Sequence, residues 1–189
     1  MKVGLGLFAL MIVIADAAAS SPINLLLGPR EAFIMHGPPA AYLKKEPFPP
    51  IKDWSSLRMT LRRGRCLGTC PAYDVEIGGD GTVVFDGYAC VAQRGRHVSK
   101  IPIADVHALF EQFRAVRIFD LRPEFVATIT DGPPYQLSIR FDRHAASVGD
   151  YIGTMVGMPE NVRALEDTID RVARIGELVG DRPQRWAAC

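Results

Sequence analysis

Two segments of alternating apolar residues, Leu57/Met59/Leu61 and Tyr73/Val75/Ile77, flank the stretch Arg63-Gly64-Arg65-Cys66-Leu67-Gly68-Thr69-Cys70-Pro71-Ala72. A period of two is that of a half-buried strand, so the chain is committed to a sheet with one apolar face. Two cysteines, two glycines and a proline between such strands fix the backbone as an ordered loop, the place where a scaffold usually carries its function. Val83 and Phe85 follow Gly78-Gly79-Asp80-Gly81, a hairpin signal. A three-residue turn, Gly79-Asp80-Gly81, with Gly81 left-handed, pairs Ile77 with Val83 and Val75 with Phe85. A two-residue turn would slip that register and put Phe85 on the polar side, so the longer turn is expected.

Arg96 to Ile101 reads as a fourth strand. Pro102 introduces a helix in which Val106, Leu109, Phe110, Phe113 and Val116 recur at helical spacing. Phe119 to Pro134 reads as irregular, because Pro123, Gly132, Pro133 and Pro134 interrupt it. Gln136 to Phe141 and Ala145 to Tyr151 form a second hairpin around Asp142-Arg143-His144. Pro159 opens a last helix with the stripe Val162, Leu165, Ile169 and Val172. The order β-β-β-β-α-β-β-α predicts an α+β fold, an antiparallel sheet of about six strands covered by two helices.

Upstream, Val3 through Ala15 form an apolar run after Met1-Lys2, too short for a spanning helix. Ala15-Asp16-Ala17 and Ala17-Ala18-Ala19 offer small-residue cleavage sites, so residues 1–19 are expected to be a removed signal peptide. That implies a periplasmic or secreted protein with no transmembrane span in its mature form. Residues 20–52 hold Pro22, Pro29, Pro38, Pro39, Pro47, Pro49 and Pro50 and read as a linker. The folded domain is expected over 53–180, with a tail over 181–189. A net charge of +1 gives no electrostatic reason to expect nucleic acid as a partner. Export also makes Cys66, Cys70, Cys90 and Cys189 disulfide candidates, with three possible connectivities.

The domain resembles a family of exported bacterial domains of unknown function marked by C-x-G-x-C-P-x-Y after an L-x-R strand. Here those residues are Leu61, Arg63, Cys66, Gly68, Cys70, Pro71 and Tyr73. The likeness continues through Gly79-Asp80-Gly81, Gly95 with His97, Thr130-Asp131, Asp150-Tyr151, Leu165-Glu166 and Ile169-Asp170, spanning about residues 54–175. The resemblance implies no activity, cofactor or catalytic residue. It supplies Cys66 and Cys70 together and leaves Cys90 and Cys189 outside its pattern, which suggests the pairs Cys66–Cys70 and Cys90–Cys189. The hairpin register offers a rival, since it sets Cys70 opposite Cys90.

A thiol-redox pair wants two intervening residues at a helix N-terminus, whereas Cys66 and Cys70 are separated by three and lead into a strand. Cys90 and His97 complete no zinc pattern, so no metal or other cofactor is expected. His36, His107 and His144 read as surface residues of linker, helix and turn. No G-x-S-x-G elbow accompanies Asp131 or Asp150. Following the strand directions, the cysteine loop, Gly95-His97, Thr130-Asp131 and Asp150-Tyr151 converge on one end of the sheet. The expected function is therefore an envelope module with a binding surface built from Arg63, Tyr73, His97, Asp131 and Tyr151, taking an envelope protein or a small ligand. The alternative is a thiol-active or other enzyme using Cys66, Cys70 and His97.

Overall fold

The computed structural model describes residues 40–180. The expected signal peptide, the first part of the linker, the tail and the Cys90–Cys189 bridge fall wholly or partly outside the described residues. Within them lie strands β1 (Arg58–Arg63), β2 (Ala72–Gly78), β3 (Thr82–Ala89), β4 (Gly95–Lys100), β5 (Glu124–Val126), β6 (Tyr135–Phe141) and β7 (His144–Tyr151). The helices are α1 (Ile103–Ala115), α2 (Glu160–Val172) and α3 (Ile175–Val179). One sheet holds all seven strands in the order β4-β3-β2-β1-β6-β7-β5.

The alternation of β1 to β3 sets the register. Met59 and Leu61 face Ile77 and Val75, which in turn face Val83 and Phe85. All six are buried on the face that the helices cover. Gly81 closes the hairpin at φ 80°, the left-handed value a bulged three-residue turn requires. Gly79 is needed for another reason: a Cβ there would lie 1.7 Å from the Trp54 carbonyl oxygen. Helix α1 buries Val106, Leu109, Phe110 and Phe113, and α2 buries Val162, Leu165 and Ile169. Prolines 102 and 159 stand just before the two helices, where a missing N–H costs nothing. The opposite sheet face is polar, crossed by the ion pairs Arg58–Glu76 at 3.4 Å and Arg62–Asp74 at 3.0 Å.

Among the described residues the fold is α+β, with seven strands and three helices in place of the expected six and two. The added strand, β5, lies inside the stretch read as irregular. It has three residues, and it pairs parallel to β7 with Phe125 opposite Asp150, so the sheet is mixed rather than purely antiparallel. A strand that short carries no period; the buried Phe125 ring holds it in place. The added helix, α3, has five residues and follows Arg174, whose φ of 53° breaks it from α2.

Residues 40–52, expected as linker, lie across the domain. Tyr42 bridges Leu121, and the Leu43 N–H donates to the Asp120 carbonyl at 2.7 Å. The Phe48 ring sits 5.5 Å from Phe110, 5.2 Å from Phe119 and 5.9 Å from Phe141. Prolines exclude helix and central strand, but an extended chain still packs its apolar side chains. Phe48→Ala is expected to lower unfolding free energy by about 2–3 kcal/mol, below the usual cost of truncating a core phenylalanine because the ring is only partly buried. Urea denaturation measures this, and an unchanged midpoint would show that the segment contributes nothing.

Candidate functional site

The register places Tyr73, Arg63, Tyr135 and Asp150 side by side on β2, β1, β6 and β7. Residues in such a row share a face, here the covered one. Helix α2 presents Arg163, Glu166, Asp167 and Asp170 at i, i+3, i+4 and i+7, one side of the helix. Row and helix meet in a charged cluster at the end of an otherwise apolar core.

Arg63 is the centre of the cluster. Its Nε donates to Asp170 Oδ2 at 2.8 Å, and Nη2 reaches Asp170 Oδ2 at 2.6 Å and Asp167 Oδ1 at 3.0 Å. The guanidinium carbon lies 4.2 Å from the centroid of the Tyr135 ring, a cation–π contact. Burial opposes the charge, yet Asp170, with the Tyr73 and Tyr135 phenols, outweighs it and pushes the Arg63 pKa up. Burial and then Asp170 push the Tyr73 phenol up against the pull of Arg63. Burial pushes Asp170 up as well, against Arg63 and Tyr73. Asp170 Oδ1 is buried with no hydrogen bond.

A second group adjoins the first. Arg163 pairs with Asp150 and, at 3.1 Å, with Glu166, and its guanidinium carbon is 4.8 Å from the Tyr135 centroid. Asp150 Oδ1 accepts from the Gly153 N–H at 2.6 Å. Glu166 is wholly buried and neither of its oxygens has a hydrogen bond. Burial, followed by the Asp150 charge, pushes the Glu166 carboxyl up to about 8 against the pull of Arg163 and Arg63, so it keeps its proton at neutral pH.

The cysteine loop completes the site. The Gly64 N–H donates to the Pro134 carbonyl at 2.7 Å, which anchors the start of the loop beside β6. Cys66 and Cys70 are joined in a disulfide with Cα atoms 5.6 Å apart. That bond excludes the rival Cys70–Cys90 pairing. A bulge between Ala72 and Tyr73 also displaces the register there, so the extrapolation that faced Cys70 with Cys90 does not hold. Between loop, β1, β2, β6 and α2 opens a pocket of about 410 Å³, lined by Arg63, Thr69, Cys70, Pro71, Tyr73, Tyr135, Asp167 and Asp170. Replacing both cysteines with serine is expected to cost about 2 kcal/mol, the loop-closure term for so short a ring. The melting temperature of the double variant against the wild-type chain measures it, and no change would show the loop to be held by its other contacts.

A family model described as a domain of unknown function, DUF6438, matches residues 57–173. The chain belongs to that family. The DUF6438 match takes in β1, the cysteine loop and all of α2, so every lining residue of the pocket falls inside it. No curated protein matches the chain.

Of the five residues expected to form a binding surface, Arg63 and Tyr73 meet in the pocket, and both are largely buried. Tyr151 lies on β7, where its hydroxyl accepts from the Gly132 N–H at 3.2 Å. Asp131, next to that glycine, has φ 72° and takes a 3.3 Å bond from the Thr130 hydroxyl. His97 is on β4, its ring centroid 6.2 Å from that of Phe85 and its Nε2 3.1 Å from the Arg94 carbonyl oxygen. β4 and β7 are five strand spacings apart, about 24 Å. The five therefore do not form one contiguous group. Sequence reasoning missed Tyr135, Arg163, Asp167 and the structural weight of Glu166 and Asp170. The signal was present: a glutamate at position 166 falls inside the stripe of Val162, Leu165 and Ile169. Among the described residues no group of His, Cys, Asp and Glu is placed to hold a metal ion, and no helix is long and apolar enough to cross a membrane.

Proposed function

We propose that the chain is an exported envelope module that binds its partner or ligand in the pocket between the disulfide loop and α2. One observation carries this reading: the disulfide loop, two tyrosines and an ion-paired arginine enclose about 410 Å³ that remains open to solvent. Ligand sites are concave, preformed and furnished with a few placed polar groups, and this pocket has that character. Export rests on the apolar run and small-residue cleavage sites at the start of the chain. The thiol-active alternative needs a free cysteine beside His97. The sulfurs of Cys66 and Cys70 are joined to each other, and the pocket that Cys70 lines does not include His97.

The binding reading is tested by following backbone NMR signals of the folded chain while a panel of cationic, anionic and neutral small molecules is added. Shifts are expected in residues 66–73 and 163–170, and Thr69→Trp, which fills the pocket, is expected to remove them. Shifts confined to the open sheet face would overturn the reading. Export is tested by intact mass from the native host, where a species that retains Met1 and sediments with membranes would exclude cleavage.

A further inference from the structure

We propose that the ligand of this pocket is a cationic group, an alkylammonium or guanidinium; the inference rests on the pocket reading above and specifies its chemistry. The lining carries one positive charge, Arg63, and two negative ones, Asp167 and Asp170. Arg163, which adjoins this group, is paired with Asp150, so its charge does not offset the surplus. A local excess of negative charge in a pocket attracts a cation.

Two of the three guanidinium nitrogens of Arg63 are already engaged by carboxylates. Its Nε and Nη2 are committed to Asp170 and Asp167, and Tyr135 lies against its guanidinium. An anionic ligand would meet the repulsion of both carboxylates beside the arginine. A cation meets the opposite situation. Asp167 uses only Oδ1 on Arg63, and its side chain is 65% exposed, which leaves Oδ2 facing solvent as an acceptor. Tyr73 and Tyr135 line the same space and give it apolar walls for the aliphatic part of such a group. The volume suits a group of amino-acid size.

Two sources share this chemistry, a free polyamine and the Lys or Arg side chain of a peptide. The test uses methylguanidinium, butylammonium, spermidine, a Gly-Arg-Gly tripeptide amide, and acetate and glutarate as anionic controls, with NMR titration of the folded chain. Both simple cations are expected to shift the signals of residues 66–73 and 163–170, and more weakly as salt is raised. Asp167→Asn, at an exposed position, is expected to weaken them by about fivefold. Asp167→Lys should abolish the effect, with melting temperature confirming that both variants fold. A tripeptide that outcompetes spermidine assigns the site to a basic side chain, and the reverse assigns it to a free polyamine; either supports the proposal. Anions that shift these signals while cations do not would overturn the cationic ligand and leave the pocket reading standing. Silence from every probe would overturn both.

Discussion

Arg63→Met is expected to destabilise the domain by about 3–5 kcal/mol, the range for removing one member of a buried ion pair. The side chain is 9% exposed, and its removal leaves Asp170, 22% exposed, beside Tyr73 without a countercharge. Chemical denaturation near neutral pH measures the loss. Arg63→Lys should recover only part of it, since an ammonium cannot match the planar fork that bonds Asp170 through Nε and Nη2. The double variant Arg63→Met, Asp170→Leu should be more stable than Arg63→Met alone, because the stranded carboxylate is gone. A single variant with near wild-type stability would mean that the cluster contributes nothing to folding.

The second large effect is on pH dependence. Glu166 has an ordinary carboxyl pKa near 4.5 when unfolded and one of about 8 in the fold. Below the lower value both states hold the proton and the group is neutral to stability-versus-pH. Between the two values only the folded state holds it, so stability falls as pH rises, approaching about 1.4 kcal/mol per pH unit from this group alone. Above about 8 the loss is complete. Asp170, also pushed up by burial, acts in the same direction. Asp80 and Asp142 are lowered by the hydrogen bonds they accept, and their effect belongs to acid conditions, outside this window. The melting temperature is thus expected to decline from pH 5 to 8, and Glu166→Gln, which mimics the protonated acid, should flatten that decline. A curve that rises over the same range, or a variant with the wild-type slope, would refute the assignment.

The two features share a lesson about what a sequence exposes. The register of β1, β2 and β3 was legible because alternation and turn length are local, and only one combination keeps Phe85 with Val75. The end of the sheet on which the loops gather follows from strand direction. The lateral order does not, because β1 pairs with β6 through a contact that no local pattern announces. Strand direction alone thus groups His97 with Tyr151, although β3, β2, β1 and β6 lie between their strands. The acidic side of α2 was legible in part. Glu166 and Asp170 belong to the family motif, yet periodicity draws the stripe through the apolar residues alone, and Glu166 lies within that stripe. The packing of Phe48 was hidden by prolines, which report backbone freedom and are silent on whether an aromatic ring nearby finds a core.

That central pairing also governs how the molecule can assemble. β1 comes first among the strands and ends in the middle of the sheet, with Met59 opposite both Ile77 and Ile139. Its first neighbour arrives within about 20 positions and its second only after about 80. The hairpins β2–β3 and β6–β7 can each zip early from local contacts, but the seam between β1 and β6 must wait for most of the chain. Topologies dominated by such distant contacts fold in milliseconds to seconds. Until the seam closes, β1 offers an unpaired edge to any other strand in reach. Substitutions along the seam, at Leu61 or Leu137, should accordingly slow folding, while those at the β4 or β5 margins should chiefly hasten unfolding.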